Sequence, residues 1–191
     1  NYELIVLDNF TTGTRPKEHI FSKTVQYVEG SILDESLVSN LVGKVDQVIH
    51  LAAAVGVANI IQSPLRGIQT NVLGSEIVIR SSAIQKKPIL LTSSSEIYGK
   101  NNEGPLSETS DRIVGVPQKQ RWSYSDSKAI EEALAIAYSN ESGLEFRIIR
   151  LFNTVGPGQK SEYGMVIPRF INSALQNTQI EIYGDGNQTR C

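Results

Sequence analysis

Short β-rich apolar runs that alternate with amphipathic stretches constrain this chain more than any other feature. Leu4–Asp8, Val25–Glu29, Gln47–Leu51, Ile89–Ser93 and Glu145–Leu151 read as strands. Asp34–Leu41, Pro64–Ala83 and Ser125–Ser142 have the length and periodicity of helices. Strands that alternate with helices predict βαβ units and a parallel sheet. Asp34, followed by Glu35, suits a helix N-terminus, and Pro64 suits a first helical turn. Right-handed crossovers then predict an α/β fold with a doubly wound sheet, whose carboxyl edge collects the loops that follow each strand. Asp8, His50–Ala54, Ser93–Tyr98 and Phe152–Gly156 all follow strands, so these distant segments are expected to meet at one crevice. After Gly156 the pattern changes to Gly/Pro-rich loop, a helix near Val166–Gln176 and a strand at Ile180–Tyr183, read as the start of a second lobe.

Composition narrows the function. With 191 residues, 40% hydrophobic and 20% charged, the chain has the make-up of an ordinary globular protein with one substantial core. A net charge of -2 without a Lys/Arg block leaves no electrostatic footprint for nucleic acid or an acidic membrane surface. No apolar run approaches the roughly 20 residues that span a bilayer, so no membrane association is expected. The single cysteine, Cys191, and two histidines, His19 and His50, give neither a disulfide framework nor metal-ligand spacing, so no metal is expected. A reducing, cytoplasmic setting fits.

The chemistry is expected around Tyr124 and Lys128. On a helix, residues four apart share a face, so phenol and ammonium serve one small volume. A free phenol titrates near ~10 and needs its phenolate stabilised to act as a base at neutral pH. The hydroxyl run Thr92-Ser93-Ser94-Ser95 ends a strand where the crevice should be, and a hydroxyl there can bridge the phenol and a substrate hydroxyl. Glu96 adds a second titratable group, although small hydroxyl residues also serve simply to satisfy a strand terminus. Asp8 can accept both hydroxyls of an adenosine ribose and would repel a 2′-phosphate, favouring NAD over NADP; alone, it equally suits a turn cap. The small residues after His50 let a flat ring approach the backbone, while His50 itself reads as a hydrogen-bonded core residue. Asn71 reads as a buried amide that tethers a neighbouring strand. No Gly-x-Ser-x-Gly elbow for a hydrolase occurs.

Together the motifs resemble the extended short-chain dehydrogenase/reductase family, in its nucleotide-sugar epimerase, dehydratase and decarboxylase branch. They are Leu7-Asp8-Asn9-Phe10, His50-Leu51-Ala52-Ala53, Thr70-Asn71-Val72-Leu73-Gly74, Ser93-Ser94-Ser95-Glu96-Ile97-Tyr98-Gly99, Tyr124-x-x-x-Lys128, Arg150-Leu151-Phe152-Asn153-Thr154-Val155-Gly156-Pro157 and Tyr183-Gly184-Asp185-Gly186-Asn187-Gln188-Thr189-Arg190. They span nearly the whole chain, and their order and spacing are specific where each alone is weak.

The resemblance implies a Rossmann-type NAD-binding domain over residues 1–155 and the beginning of a nucleotide-sugar lobe over 156–191. It implies Tyr124 as the base, Lys128 as the nicotinamide-ribose ligand that depresses the Tyr124 pKa, and Ser94 as a sharer of the substrate proton, with Glu96 beside them. Asp8, Asn9, Ser31, Ile32, Leu51, Ala52, Ala53, Asn71 and Phe152 fall at cofactor positions; Ser94, Ser95, Asn153 and Arg190 fall at positions facing a nucleotide-diphosphate sugar, UDP-linked. Ser31 stands where relatives commonly place an acid for the adenine amine, so that contact is expected to differ. The glycine-rich phosphate loop should precede Asp8 by about 20 residues. The sheet is therefore expected to be truncated, without its first strand, and the segment alone to bind NAD poorly. The full-length protein is expected to be a homodimer through the helices at Pro64–Ala83 and Ser125–Ser142.

Dehydratases of this branch carry an Asp-Glu pair after the hydroxyl residue, and Ser95-Glu96 lacks the Asp. The expected reaction therefore runs through a 4-keto sugar as a 4-epimerase, with a UDP-glucuronate decarboxylase as the alternative. A noncatalytic Rossmann-type binding domain is the alternative of a different class.

Overall fold

In this computed structural model, which describes residues 2–13, 25–55, 63–156, 159 and 165–187, the alternation resolves into parallel ladders. β1 (Leu4–Asp8) pairs with β2 (Val25–Glu29), from Leu4 opposite Val25 to Asp8 opposite Glu29. A second ladder places β4 (Ile89–Ser94) between β3 (Val48–His50) and β5 (Phe146–Leu151). All pairings are parallel, so within each ladder the carboxyl ends share one edge. Among the described residues no ladder joins β1–β2 to β3–β5. The expected parallel α/β architecture is present, its described strands falling in these two ladders.

Local chemistry sets the helix ends. Asp34 caps α1 (Glu35–Val42), its carboxylate accepting from the Leu37 amide at 3.0 Å and the Ser36 hydroxyl at 2.8 Å. Pro64 opens α2 (Pro64–Ile68), where its missing N–H has no intrahelical partner to lose. The single helix expected through Ala83 is interrupted: Gln69–Gly74 winds as a π-helical turn before α3 (Ser75–Ile84) resumes. Gly74, at the end of that turn, packs close against Ile32, whose side chain an added Cβ would displace. A 3-10 turn, Ser95–Tyr98, follows β4. The helix expected from Ser125 begins at Trp122, so Tyr124 lies inside the first turn of α4 (Trp122–Ser142). Gly143 ends it in the left-handed region at φ 71°, donating to Ser139 O at 2.9 Å.

Ile79, Ala83, Ile89, Leu91, Ala135 and Leu144 form the centre of the core, where α3 and α4 cover one face of the β3–β5 ladder. Burying each large aliphatic here contributes roughly 1.5–3 kcal/mol. Arg150 on β5 fastens α4 to the ladder through Glu132, bonding Oε1 at 2.9 Å and Oε2 at 2.7 Å.

The strand expected at Ile180–Tyr183 does not form. The segment joins neither ladder, and Ile180, Ile182 and Tyr183 are exposed. It is held from α5 (Val166–Leu175) instead: Arg169 donates to the Glu181 carbonyl at 2.7 Å and stacks on the Tyr183 ring at 4.0 Å. A β-rich run without a ladder partner has no reason to become a strand. No helix among the described residues is long and apolar enough to cross a membrane.

Candidate active site

A cleft of about 460 Å³ opens at the carboxyl ends of β1 and β3. Asp8 and Asn9 line it together with Ile32 and Leu51, Ala52, Ala53 and Ala54. An acid at one end and small side chains along a strand terminus suit a ribose and a flat ring, so the cleft fits NAD. Asp8 also caps its turn, since one carboxylate oxygen accepts the Phe10 amide at 2.7 Å. The two readings of Asp8 are compatible. Asn9 is turned to local use, accepting the Thr11 amide at 3.1 Å and bonding the Thr11 hydroxyl. Ser31 lies outside the cleft lining and accepts the Leu33 amide at 3.1 Å. Arg66, Thr11 and Thr12 line the cleft without having been singled out from the sequence. Arg66 brings a cation from the first turn of α2, detectable only once that helix is placed against β3.

Asn71 shapes the cleft wall from behind. Its Oδ1 accepts the Ala54 amide at 2.7 Å and its Nδ2 donates to the Ala54 carbonyl at 3.2 Å, with Ser127 Oγ at 3.4 Å. It sits within the π-helical turn and is 2% exposed. The buried amide thus tethers backbone, as its isolated polarity in a core-like helix predicts.

The second group of side chains lies at the end of β4. The Ser94 hydroxyl accepts the Glu96 amide at 3.2 Å and also favours the Tyr124 phenolate. Burial nevertheless pushes the Tyr124 phenol above its ordinary value, with Glu131 and Glu96 acting in the same direction. The expected depression by Lys128 is therefore not what the side chains produce by themselves. Lys128 is inward and engaged: its Nζ donates to the Thr92 carbonyl at 2.7 Å and to Glu131 Oε2 at 2.8 Å. Ser95 is half-buried, and Glu96 faces Arg121 at the loose separation of 4.0 Å. Phe152 and Asn153 follow β5 and are exposed, while Arg190 lies outside the described residues.

His50 is the buried hydrogen-bonded residue that its setting predicts, with Nε2 2.8 Å from Ser75 Oγ. Burial lowers its pKa to about 3, and the Lys128 charge adds to that, so the imidazole is neutral at ordinary pH. Thr92 ties the two groups together, since its hydroxyl donates to the His50 carbonyl at 2.9 Å while its own carbonyl holds Lys128. Sequence reasoning missed Glu131 and Ser75. The available signal was an acid three residues beyond Lys128, where i,i+3 spacing lets the two meet.

Residues 1–190 match the model of the NAD dependent epimerase/dehydratase family. The chain is 38% identical over its whole length to a UDP-N-acetyl-alpha-D-glucosaminuronate decarboxylase of Bacillus cytotoxicus, covering 59% of that protein. Among solved structures, the UDP-glucose 4-epimerase of Thermotoga maritima with UDP-glucose superimposes with a TM-score of 0.84 at 28% identity, over 97% of this chain and 59% of that one. The dTDP-glucose 4,6-dehydratase of Streptomyces venezuelae, solved with NAD bound, does so with a TM-score of 0.83 at 29% identity, over 96% and 56%. The chain thus spans somewhat more than half the length of these proteins. An α/β frame of parallel strands, a cleft headed by Asp8, and Ser94, Tyr124 and Lys128 at the neighbouring strand end agree with that match: the chain belongs to the NAD dependent epimerase/dehydratase family.

Proposed function

We propose that the protein carrying this chain oxidises a nucleotide-diphosphate sugar, UDP-linked, at C4 with NAD, and that the 4-keto product is a uronate that loses carbon dioxide, a proton from solvent taking the carboxylate's place at C5, before C4 is reduced again. The observation that supports the first half is the convergence of Ser94, Tyr124 and Lys128 at the end of β4. Tyr124 removes the proton of the C4 hydroxyl, directly or through Ser94, and returns it at the end. Asp8, Ile32, Leu51–Ala53, Lys128 and Phe152 would hold NAD, which when bound would supply reversible hydride acceptance, so that the cycle would need no net redox partner. Asn153 and Arg190 meet the diphosphate, for which the planar fork of an arginine is well suited. Residues 1–155 form the cofactor domain in this reading, and 156–191 begin the substrate lobe.

The second half rests on two observations. Ser95-Glu96 lacks the Asp-Glu pair that eliminates water, and a ketone β to a carboxylate needs little further help to release carbon dioxide. The 38% identity over the whole chain is to a uronate decarboxylase. The epimerase remains the second reading because of the close superposition on UDP-glucose 4-epimerase. Pairing as a homodimer through α2 to α4 is supported by the outward Leu65, Ile68, Leu73, Ile130 and Ile136.

Product analysis by NMR decides among these. The full-length protein is incubated with NAD and UDP-glucose, UDP-galactose, UDP-glucuronate or its N-acetylglucosaminuronate counterpart. A decarboxylated sugar with released carbon dioxide is expected, whereas C4 inversion would establish the epimerase and reject decarboxylation. Tyr124→Phe should lower turnover by about 10²–10⁴-fold while leaving NAD affinity nearly unchanged. Absence of any product, with NAD still bound, would point to a binding domain and reject the enzyme reading.

A further inference from the structure

Lys128 carries a counter-ion that the proposed reaction does not require. Glu131 Oε2 accepts from Lys128 Nζ at 2.8 Å, and the two side chains are 3% and 1% exposed for Lys128 and Glu131 respectively. Among the described residues the other carboxylate oxygen, Oε1, has no hydrogen-bond partner within bonding geometry, the Ser75 hydroxyl being the polar group near the carboxylate. Burying a half-satisfied carboxylate is unfavourable, and an apolar residue of similar size would pack at this depth without that cost. The Lys128 pairing and the Ser75 hydroxyl offset part of that desolvation.

The effect of the pair on Tyr124 is electrostatic. Tyr124 and Lys128 lie one helical turn apart on α4, and a buried cation at that spacing favours a phenolate strongly because little water screens it. Glu131, paired with Lys128 at 2.8 Å from three residues further along, opposes that field and acts to raise the phenol. Among the described residues the other charges near this volume are mostly paired, and Glu96 is the other acid that raises the phenol. His50 on β3 is neutral, Glu132 on α4 is taken up by Arg150 from β5, and Arg112 from the preceding loop pairs with Asp126 at 2.8 Å. Glu96, from the 3-10 turn, is 42% exposed and faces Arg121. Glu131 is itself pushed above the usual carboxylate range by burial, opposed by Lys128 and the nearby Ser75 hydroxyl, and it counts among the groups that raise the Tyr124 phenol.

We propose that Glu131 is a positioning residue for the reaction: by neutralising Lys128 within the buried pair, it keeps the Tyr124 phenol protonated and sets the pH above which Tyr124 works as a base. The proposal rests on the assignment of Tyr124 as that base. It places the control of basicity on a residue that touches neither sugar nor cofactor.

The test uses the full-length protein labelled with ¹³Cζ-tyrosine, the Tyr124 signal being identified by its loss in Tyr124→Phe. In Glu131→Gln the phenol midpoint should move to lower pH, and in Glu131→Asp, which keeps the charge, it should return towards wild type. The acidic limb of kcat should move with it, so that turnover below the wild-type midpoint rises severalfold while KM for the sugar is unchanged. A midpoint that stays fixed in a natively folded Glu131→Gln protein overturns the proposal. Should that variant not fold, the ¹³Cδ signal of Glu131 in the wild type decides. A carboxylate throughout the range in which Tyr124 titrates supports the counter-ion, and a carboxylic acid there overturns it. The titrations need no turnover, so the two ideas fail separately: activity surviving in Tyr124→Phe rejects the base, and a fixed midpoint rejects the counter-ion.

Discussion

Arg150 grips Glu132 through two parallel bonds, Nε to Oε1 at 2.9 Å and Nη2 to Oε2 at 2.7 Å, and so clamps β5 to the helix that carries Tyr124 and Lys128. The same guanidinium donates to Tyr98 Oη and to the Glu108 carbonyl, each at 3.0 Å. One planar group therefore fixes β5, α4, the 3-10 turn and the loop beyond it. A lysine cannot reproduce that geometry.

Removing the guanidinium leaves Glu132 mostly buried without its partner, so Arg150→Ala should destabilise the protein by about 3 kcal/mol in urea titrations, and Arg150→Lys by a substantial part of that. Burial alone would raise the Glu132 carboxyl, but the Arg150 bonds outweigh it and hold the group below its ordinary value. A depressed carboxylate contributes stability above its unfolded pKa and loses it as pH falls through the lower folded one. Glu132→Gln should accordingly flatten the loss of stability below about pH 4.

His50 has the complementary acid signature. The folded pKa of about 3 lies below the ordinary 6.5, so the unfolded chain binds a proton that the folded one refuses. Its contribution is complete above about pH 6.5 and declines as pH falls towards the folded value, by an amount on the order of 5 kcal/mol at the acid end. Imidazole NMR signals should show His50 still neutral at pH 5. An ordinary titration near 6.5 in the native protein would refute the burial argument.

Asn71 is expected to matter through the wall it holds. Asn71→Ala removes both bonds to Ala54 and leaves its N–H and C=O without those partners, costing about 1–3 kcal/mol of stability. The 52–54 segment should loosen, giving faster amide exchange at Ala54 and weaker NAD binding in calorimetry. Turnover at saturating NAD should change less than the affinity does.

Asp8 should govern the choice of dinucleotide. Losing a charged acceptor for two ribose hydroxyls corresponds to about 1.5–3 kcal/mol, so Asp8→Asn in the full-length protein should weaken NAD by roughly 10–100-fold. Binding of NADP should weaken less, because the repulsion of a 2′-phosphate goes with the charge. Equal losses for both cofactors would leave Asp8 as a turn cap only.

Several of these relationships were legible in order along the chain. The alternating pattern set the strands and the parallel class, because apolar periodicity reflects which faces must be covered, and Asp34 and Pro64 marked helix starts through purely local hydrogen bonding. The motifs indicated the family because the order and spacing of Asp8, Ser94, Tyr124 and Lys128 along this chain are specific in combination. The tertiary structure decided what depends on neighbours remote in sequence. Whether Ile180–Tyr183 becomes a strand turns on a ladder partner, and whether the helix after Pro64 winds as a π turn turns on contacts such as Asn71 with Ala54 and Gly74 with Ile32. The direction of the Tyr124 shift likewise had to come from the fold. Desolvation and the fields of Glu131 and Glu96 add in space, and a one-dimensional spacing of tyrosine and lysine carries neither.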